Sequence, residues 1–513
     1  MVKSTLCKIM NLTKMANMLD LNYNKEISYK DISNFIIKQK EKYTNNNSHN
    51  RLKFKRVKDK NDSDNLTKGI IKRLRDTFIQ KIETILHKMQ IKLIEPPRFL
   101  KGLNFEIISL PHNISALNFY QIILSNSAMF DDIIEGIYED DFIGSQILQE
   151  IPIELNNFVS RGKKSQPTSD EFYPSDPLFE RQWFHSDLNY GINTPKLWKR
   201  LKEIINNKVG NAVVAVMDSG IDFEHSDLRG RIWRNFGEYN CSDGIDDDQN
   251  GYIDDCYGWN FVDDTKIPSD DNGHGTHISG LIAAIPDNGL GIAGVCMYCQ
   301  VMVLKVLDSN IQGYVSGILQ AIDYALDKGV RVSNHSYGSR SEQIESLRLA
   351  IQRSETQGML VVAASGNFHK DRDNDQFPTY PASFRFNNVI SVTALNREGV
   401  IMERAAYGRN SVHLAAPGVN ICSTYLGDSM FKDVILGYRC MFGSSFSTPL
   451  VSGVAAILVS LFPNLSSKII KECILKGATN IDGLPVMGSR IINAYKAYSY
   501  CQMYHNSIIA RNS

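Results

Sequence analysis

No run of 18 apolar residues occurs in this 513-residue chain, so no membrane span is expected. The start, MVKSTLCKIMNLTKMANML, lacks the apolar stretch of a signal peptide, because Lys3, Lys8 and Lys14 interrupt it. The expectation is a protein that does not use that route, or a start that is not the whole signal-bearing one. Net charge is also missing: 56 basic residues balance 56 acidic ones. The balance is uneven, since residues 1–75 hold 18 Lys or Arg against 7 acids. The basic run RLKFKRVKDK (51–60) carries no aromatic beyond Phe54 for base stacking, so it reads as a solvated arm and not as a nucleic-acid site. A second CxxC at finger spacing is absent too, which argues against structural zinc.

What is present is nine cysteines, eight of them after residue 240. An even number confined to one region is the pattern of disulfides formed in an oxidising compartment, with pairing left open. Residues 1–73, rich in Asn and Lys, read as a basic flexible arm. Over 74–145, the helical spacing of LRDTFIQKIETILHKM is followed by FEIISL, by ISALNFYQIILSNSAMFDD and by IIEGIYEDDFIG, the pattern of a small α/β unit. Residues 146–180 hold turn formers without a period and read as a linker. Residues 501–513 read as a C-terminal tail.

From 181 to 500 short apolar runs alternate with helical patterns. VVAVMD (213–218), VMVLKVLD (301–308), RVSNHSYG (331–338), MLVVAASGN (359–367) and NVISVTAL (388–395) read as strands. GTHISGLIAAI (275–285), VSGILQAIDYALDKG (315–329) and SLRLAIQRSETQG (346–358) read as helices. The alternation predicts an α/β fold with a mostly parallel sheet covered on both faces. In such a sheet the working site lies beyond the carboxyl ends of the strands.

Three segments meet that expectation. Asp218 ends an apolar strand; His274 stands between two glycines where a helix begins; Ser445 precedes the helical run TPLVSGVAAILVSLF. His277 is the rival histidine, but it falls inside the helix among small residues. At a helix N-terminus, unpaired N–H groups and the dipole favour developing negative charge. The trio can divide a hydrolysis: Ser445 attacks, His274 carries the proton, and Asp218 orients and charge-balances the imidazole. The chain order Asp, His, Ser is one of three orders in which this arrangement occurs. An esterase of the nucleophile-elbow type would need G-x-S-x-G, whereas Ser447 stands at the last of those positions.

The segments VVAVMDSGID, DNGHGTHISGLIAA, VVAASGN and GSSFSTPLVSGVAA resemble the subtilisin-like serine proteases, or subtilases, over about 320 residues. The serine segment departs from the family pattern, with Ser444 before the nucleophile and Phe446 and Ser447 after it. The resemblance implies a three-layer fold, proteolysis of protein substrates by a monomer, and Asn367 as oxyanion donor beside the Ser445 N–H. It also implies that HSYG (335–338) pairs with the substrate backbone through Ser336 and Gly338. Phe368 would stand at the rim of the first specificity pocket, with no strong preference for a basic residue there.

The segment 243–271 holds ten aspartates and one lysine. Within it Asp246, Asp248 and Asn250 alternate before Gly251, the opening of an EF-hand-like calcium loop. Tyr257 stands where the closing Glu would be, so Asp254 or Asp255 must close the site. The resemblance implies a second calcium on Asp227 and Asn288, with Gln182 as third side chain. It also implies that 74–145 is a prodomain that inhibits its own protease, its tail cut between about 143 and 150, at Ser145–Gln146 by preference. The Asn/Lys-rich arm and acidic insertion are similar to those of secreted subtilisins of apicomplexan parasites, implying a secretory organelle or extracellular destination. The competing expectation is a catalytically inactive subtilase fold serving as a binding scaffold.

Overall fold

The computed structural model describes residues 5–10, 98–100, 105–109, 134–139, 142–144, 169–204, 212–341, 344–427, 430–431, 434–435 and 437–512. The chain divides into two units, Met1–Asp140 and Asp141–Ser513. In the first, strands β1 (Thr5–Met10), β2 (Arg98–Leu100), β3 (Phe105–Ser109) and β4 (Ile134–Glu139) form one sheet in the order β2-β3-β1-β4, antiparallel throughout. Residues 5–10, expected to belong to a flexible arm, are therefore an interior strand of this sheet. The expected helix LRDTFIQKIETILHKM and the rest of the arm lie outside the described residues.

The second unit opens with β5 (Phe142–Gly144). Its main sheet holds β6 (Val213–Asp218), β7 (Gly258–Asn260), β8 (Gln300–Lys305), β10 (Val332–His335), β11 (Leu360–Ala364), β12 (Val389–Leu395), β13 (Leu414–Pro417), β18 (Thr479–Asn480) and β19 (Arg490–Ile491). Their order is β18-β19-β13-β12-β11-β10-β6-β8-β7, parallel except for the β18–β19 pair. The small pairs are β5 with β9 (Gln312–Tyr314), β14 (Ile421–Thr424) with β17 (Tyr438–Met441), and β15 (Met430–Phe431) with β16 (Val434–Ile435), all antiparallel.

Seven helices are described: α1 (Thr194–Ile204), α2 (His274–Ala283), α3 (Val315–Asp327), α4 (Glu345–Thr356), α5 (Ser444–Leu461), α6 (Ser467–Lys476) and α7 (Ala494–Asn512). Val214, Val216, Val301, Val303, Leu360 and Val362 share one core with Ile278 and Leu281 of α2 and with Leu450 and Val454 of α5. Alternate positions such as Ala215 and Met217 face away from that core; helices α3 and α4, packed on each other and on β6 and β11, cover that face. The central strands are therefore buried on both sides, which is why their sequences read as continuous apolar runs. α5 is long and apolar enough to cross a membrane by length and composition, but 83% of it is buried inside the protein. It is the core helix against which β10 to β13 pack.

Both ends of this unit are more ordered than a linker and a tail. Asp176, Leu178 and Phe179, placed in the linker by sequence, are buried, and Phe179 joins the core. The tail is the second half of α7, and Cys501 is bridged to Cys473 of α6. The other bridges, Cys241–Cys256, Cys296–Cys299 and Cys422–Cys440, likewise join neighbours in sequence. With 28 residues between its ends, Cys473–Cys501 closes the longest loop of the four. Replacing both cysteines by serine is expected to lower stability by roughly 3 kcal/mol, measured as a shift of the urea midpoint. A shift below about 1 kcal/mol would mean that packing alone holds α6 on α7.

Candidate active site

Strand β6 has β8 on one side and β10 on the other, so the chain order reverses at β6. Such a switch point opens a crevice at the carboxyl ends of the strands. Asp218 is the last residue of β6, Ser336 follows β10, and Asn367 lies three residues beyond β11. Asp218 Oδ1 lies 2.7 Å from His274 Nδ1 and accepts from the Ser219 N–H at 2.8 Å. Both side chains of the Asp218–His274 pair are fully buried.

The first turn of α2 is placed by residues that the sequence does not mark as functional. Asp270 Oδ1 accepts from the N–H of Asn272 and of Gly273; its Oδ2 accepts from the N–H and hydroxyl of Thr276. A carboxylate there satisfies orphan donors and complements the helix dipole. Ser219 Oγ donates to Asp270 at 2.8 Å and accepts from Gly275 N–H at 2.9 Å, tying the end of β6 to the start of α2. A Cβ on Gly275 would lie 2.2 Å from the Gly220 carbonyl, so only glycine permits this approach. Lys305, 2% exposed at the end of β8, donates to the Ser219 carbonyl (2.6 Å) and to Asp271 Oδ1 (2.7 Å). The rival His277 donates from Nε2 to the Arg439 carbonyl at 3.0 Å, and burial pushes its pKa down to about 3. It is a neutral core side chain.

Helix α5 begins at Ser444, which makes Pro449 its sixth residue instead of a first-turn proline. Proline has no N–H to give to the carbonyl four residues back, here that of Ser445. Ser336 Oγ takes that place, donating to the Ser445 carbonyl at 2.8 Å, while Ser445 Oγ donates to the Ser336 carbonyl at 3.1 Å. This reciprocal pair locks the helix start to the segment after β10. Asn334 Nδ2 supports Ser336 Oγ at 3.0 Å, and Ser452 Oγ holds Asn334 Oδ1 at 2.9 Å.

Asn367 Oδ1 accepts from the Ser444 N–H at 2.9 Å and from its hydroxyl at 3.2 Å. The acceptor end of the amide is thus held on the helix, so the donor end, Nδ2, is the one presented. Gly443, at φ +139°, leaves no side chain against that amide; a Cβ there would lie 3.2 Å from Nδ2. Asp218, His274, Asn367, Ser336 and Ser445 are thereby brought to one end of the sheet. Gly338 follows in the same segment, where a Cβ would meet Thr379 Cγ2 at 2.6 Å. Phe368 packs its ring against Gly366 and carries the Arg340 guanidinium on its face. The arrangement offers a hydroxyl, a base oriented by a buried carboxylate, and amide donors at a helix N-terminus, the set that acyl transfer requires.

The acidic loop separates into distinct roles. Asp246 accepts from the N–H of Asn250 and of Gly251, shaping its own turn. Asp254 pairs with Lys266 at 2.8 Å, which holds its pKa below the usual carboxylate range. Asp248 and Asp255 come together with Glu238, which lies outside the aspartate-rich run, in the one candidate carboxylate cluster among the described residues. Asn235 and Asn250 turn their amides onto Asp255 at 2.6 and 2.7 Å. Glu238 is 1% exposed, and its Oε2 has no hydrogen-bond partner, nor has Asp248 Oδ1. Burial, with Asp255 close by, raises the Glu238 pKa; burial also raises that of Asp255. Burial acts in the same direction on Asp248, but hydrogen bonds from Lys328 and Asn235 outweigh it and hold its pKa low. A divalent cation fits these residues: two buried oxygens lack donors, and one lysine faces three carboxylates.

At the second expected site Asn288 Nδ2 donates to Asp227 Oδ1 at 2.9 Å, and burial pushes the Asp227 pKa up to about 7. Gln182 instead grips the backbone of Ala293, donating to its carbonyl and accepting from its N–H.

A model of the subtilase family, Peptidase_S8, matches residues 210–490. Subtilisin-like protease 1 of Plasmodium berghei (strain Anka) is 30% identical over 412 residues, 75% of this chain and 65% of that protein. Thermostable alkaline protease of Halalkalibacterium halodurans is 33% identical, over 74% of this chain and 91% of its own length. Thermitase of Thermoactinomyces vulgaris is 30% identical, over 64% of this chain and its whole length. The chain spans about 42 to 65% of the length of the Plasmodium relatives of the first kind. A solved structure titled as proteases from Pseudoalteromonas arctica has the same fold, with TM-score 0.50 and 24% identity over 64% of this chain and 99% of that one.

Proposed function

This chain belongs to the subtilase family, and from that premise we propose that it is a serine endopeptidase made as a self-processing zymogen and stabilised by calcium. The observation that carries the proposal is the buried 2.7 Å contact of Asp218 with His274, at the sheet end where Ser445 begins a core helix. His274 takes the Ser445 proton as the hydroxyl attacks the peptide carbonyl, then returns it to the leaving amine. Asp218 orients the imidazole and balances its charge. Asn367 Nδ2 and the Ser445 N–H receive the tetrahedral oxyanion, and Ser336 and Gly338 pair with the extended substrate.

The zymogen reading is supported by β5, which pairs with β9 so that Phe142, Ile143 and Gly144 lie opposite Tyr314, Gly313 and Gln312. A segment bound in this way within the enzyme unit, just before Ser145–Gln146, the preferred bond of the expected cut, is what a retained prodomain tail requires. The four disulfides support folding in a secretory or extracellular compartment. The test compares wild type with Ser445→Ala for cleavage near residues 143–150 and for labelling by a fluorophosphonate. A folded wild type that neither cuts itself nor labels, with calcium present, ends the protease reading.

Calcium would be held by Glu238, Asp248, Asp255 and the side-chain oxygen of Asn250; Gln182, committed to the Ala293 backbone, leaves Asp227 and Asn288 as the side chains of a second site. Its chemistry is to neutralise carboxylates that burial otherwise disfavours in their charged form. In the Ser445→Ala protein, removing calcium with a chelator is expected to lower Tm by roughly 5–10 °C. Glu238→Gln should shrink that shift. An unchanged Tm with and without chelator would rule out a stabilising ion.

A further inference from the structure

Beyond the catalytic crevice lies a cavity of about 460 Å³ lined by Arg340, Arg348, Phe377, Pro378, Tyr380 and Phe384 among others. Its two arginines differ. Arg348 is already neutralised, since its guanidinium meets both carboxylate oxygens of Glu345. No carboxylate lies within ion-pair distance of Arg340 among the described residues, although the charge of Asp371 acts on it from further off. One Nη donates to the Asp371 backbone carbonyl, and Nε is buried with no hydrogen-bond partner. The Phe368 ring holds the guanidinium from one side at 3.4 Å, with Phe377 at 5.9 Å. A half-buried cation held on a ring face and lining the cavity, with no ion-pair partner among the described residues, is a preformed seat for an anion.

The cavity also has a fixed relation to the reaction centre. Ser336 contacts Ser445, and Arg340 lies four residues further along the same segment. Ser339 and Tyr380 exchange backbone hydrogen bonds at 2.9 and 2.8 Å, so one wall of the cavity is stitched to that segment. Four residues span at most roughly 13 Å, so Arg340 lies within the reach of about four residues of a polypeptide lying alongside. We propose that Arg340 and this cavity recognise a carboxylate side chain, Glu or Asp, carried by the substrate polypeptide within about four residues of the bond that is cut. The proposal rests on the protease reading and names the substrate class of that same site. Phe368, next to the oxyanion donor Asn367, couples the seat to the catalytic crevice.

The test uses the mature enzyme and a set of fluorogenic peptides in which one Glu is walked through positions one to six on either side of the cut, each paired with its Gln isostere. Wild type is expected to prefer Glu over Gln by about tenfold in kcat/KM at one position within about five residues of the cut. The ratio should fall towards one in Arg340→Gln and in high salt, and persist in part in Arg340→Lys. No position preferring Glu, or a preference that survives Arg340→Gln or high salt, overturns the proposal. Should Arg340→Gln not fold, the wild-type salt series and Arg340→Lys decide between the same outcomes. Cleavage of the Gln peptides reports on the protease reading separately: if none is cut, that reading fails and not merely the specificity.

Discussion

Ser445→Ala is expected to lower turnover by about 10⁶-fold while leaving the fold intact, because the hydroxyl is the only atom removed. The loss should be shared, not summed. His274→Ala costs a similar factor, and the Ser445→Ala/His274→Ala pair costs no more than either, since the two act on one proton. Asp218→Asn should cost about 10⁴, through the wrong imidazole tautomer. Asn367→Leu should cost about 10²–10³, the worth of one oxyanion donor. Single-turnover kinetics on one peptide, with circular dichroism as control for folding, measure all four. Independent, additive losses for Ser445 and His274 would mean that the two do not form one catalytic unit.

Acid should unfold this protein from about pH 6.5 downwards. His185, His277, His335 and His413 are buried, and burial holds the pKa of each at about 3 against an ordinary value of 6.5. Their hydrogen bonds use the neutral ring: His185 bridges Thr194 and the Ala293 carbonyl, His335 bridges Ser333 and Tyr337, and His413 Nδ1 accepts from the Ser391 N–H. A group whose folded pKa is depressed contributes stability above its unfolded pKa and loses it as pH falls towards the folded one. From pH 7 to pH 5 each histidine therefore costs on the order of 2 kcal/mol, and the four together several. Urea unfolding of Ser445→Ala protein across that range, which avoids self-digestion, measures the slope. His335→Gln and His413→Gln should each flatten it. A stability unchanged between pH 7 and pH 5 would mean that these rings are protonated, or accessible, in the fold.

The alternation of apolar strands with helical patterns located β6, β8, β10, β11 and β12 to within a few residues, because strands buried on both faces must be apolar throughout. Strands β7 and β13 and the pair β14–β17 escaped notice. They are short, and what makes them strands is a partner elsewhere in the chain. The same holds for β1: Lys8, within Thr5–Met10, masked a strand that takes its place between β3 and β4.

In the candidate site, residues at strand ends and glycine turns were legible, since a reactive side chain needs small neighbours and a break in regular structure. Asp218, His274, Asn367 and Ser445 were found on that basis and through family likeness. Their supports were not. Lys305 ends an apolar strand, Asp270 is one aspartate among many, and Glu238 lies outside the acidic run. None carries a local signature. Calcium-loop spacing grouped Asp246 and Asp254 with Asp248 and Asp255; in the structure Asp248 and Asp255 share a carboxylate cluster with Glu238, whereas turn formation and Lys266 separate the other two.

By itself the sequence determined the architecture, the order of the segments and the candidate reactive side chains, because periodicity, glycine and helix starts are properties of neighbours along the chain. Tertiary structure alone decided which polar groups meet. Ser336 completes the carbonyl that Pro449 leaves open, Glu238 joins Asp248 and Asp255, and Arg340 lies on Phe368 with an unused donor. These contacts join residues far apart in the chain, where only burial, and the need to pair or spare each polar group it strands, selects the partner.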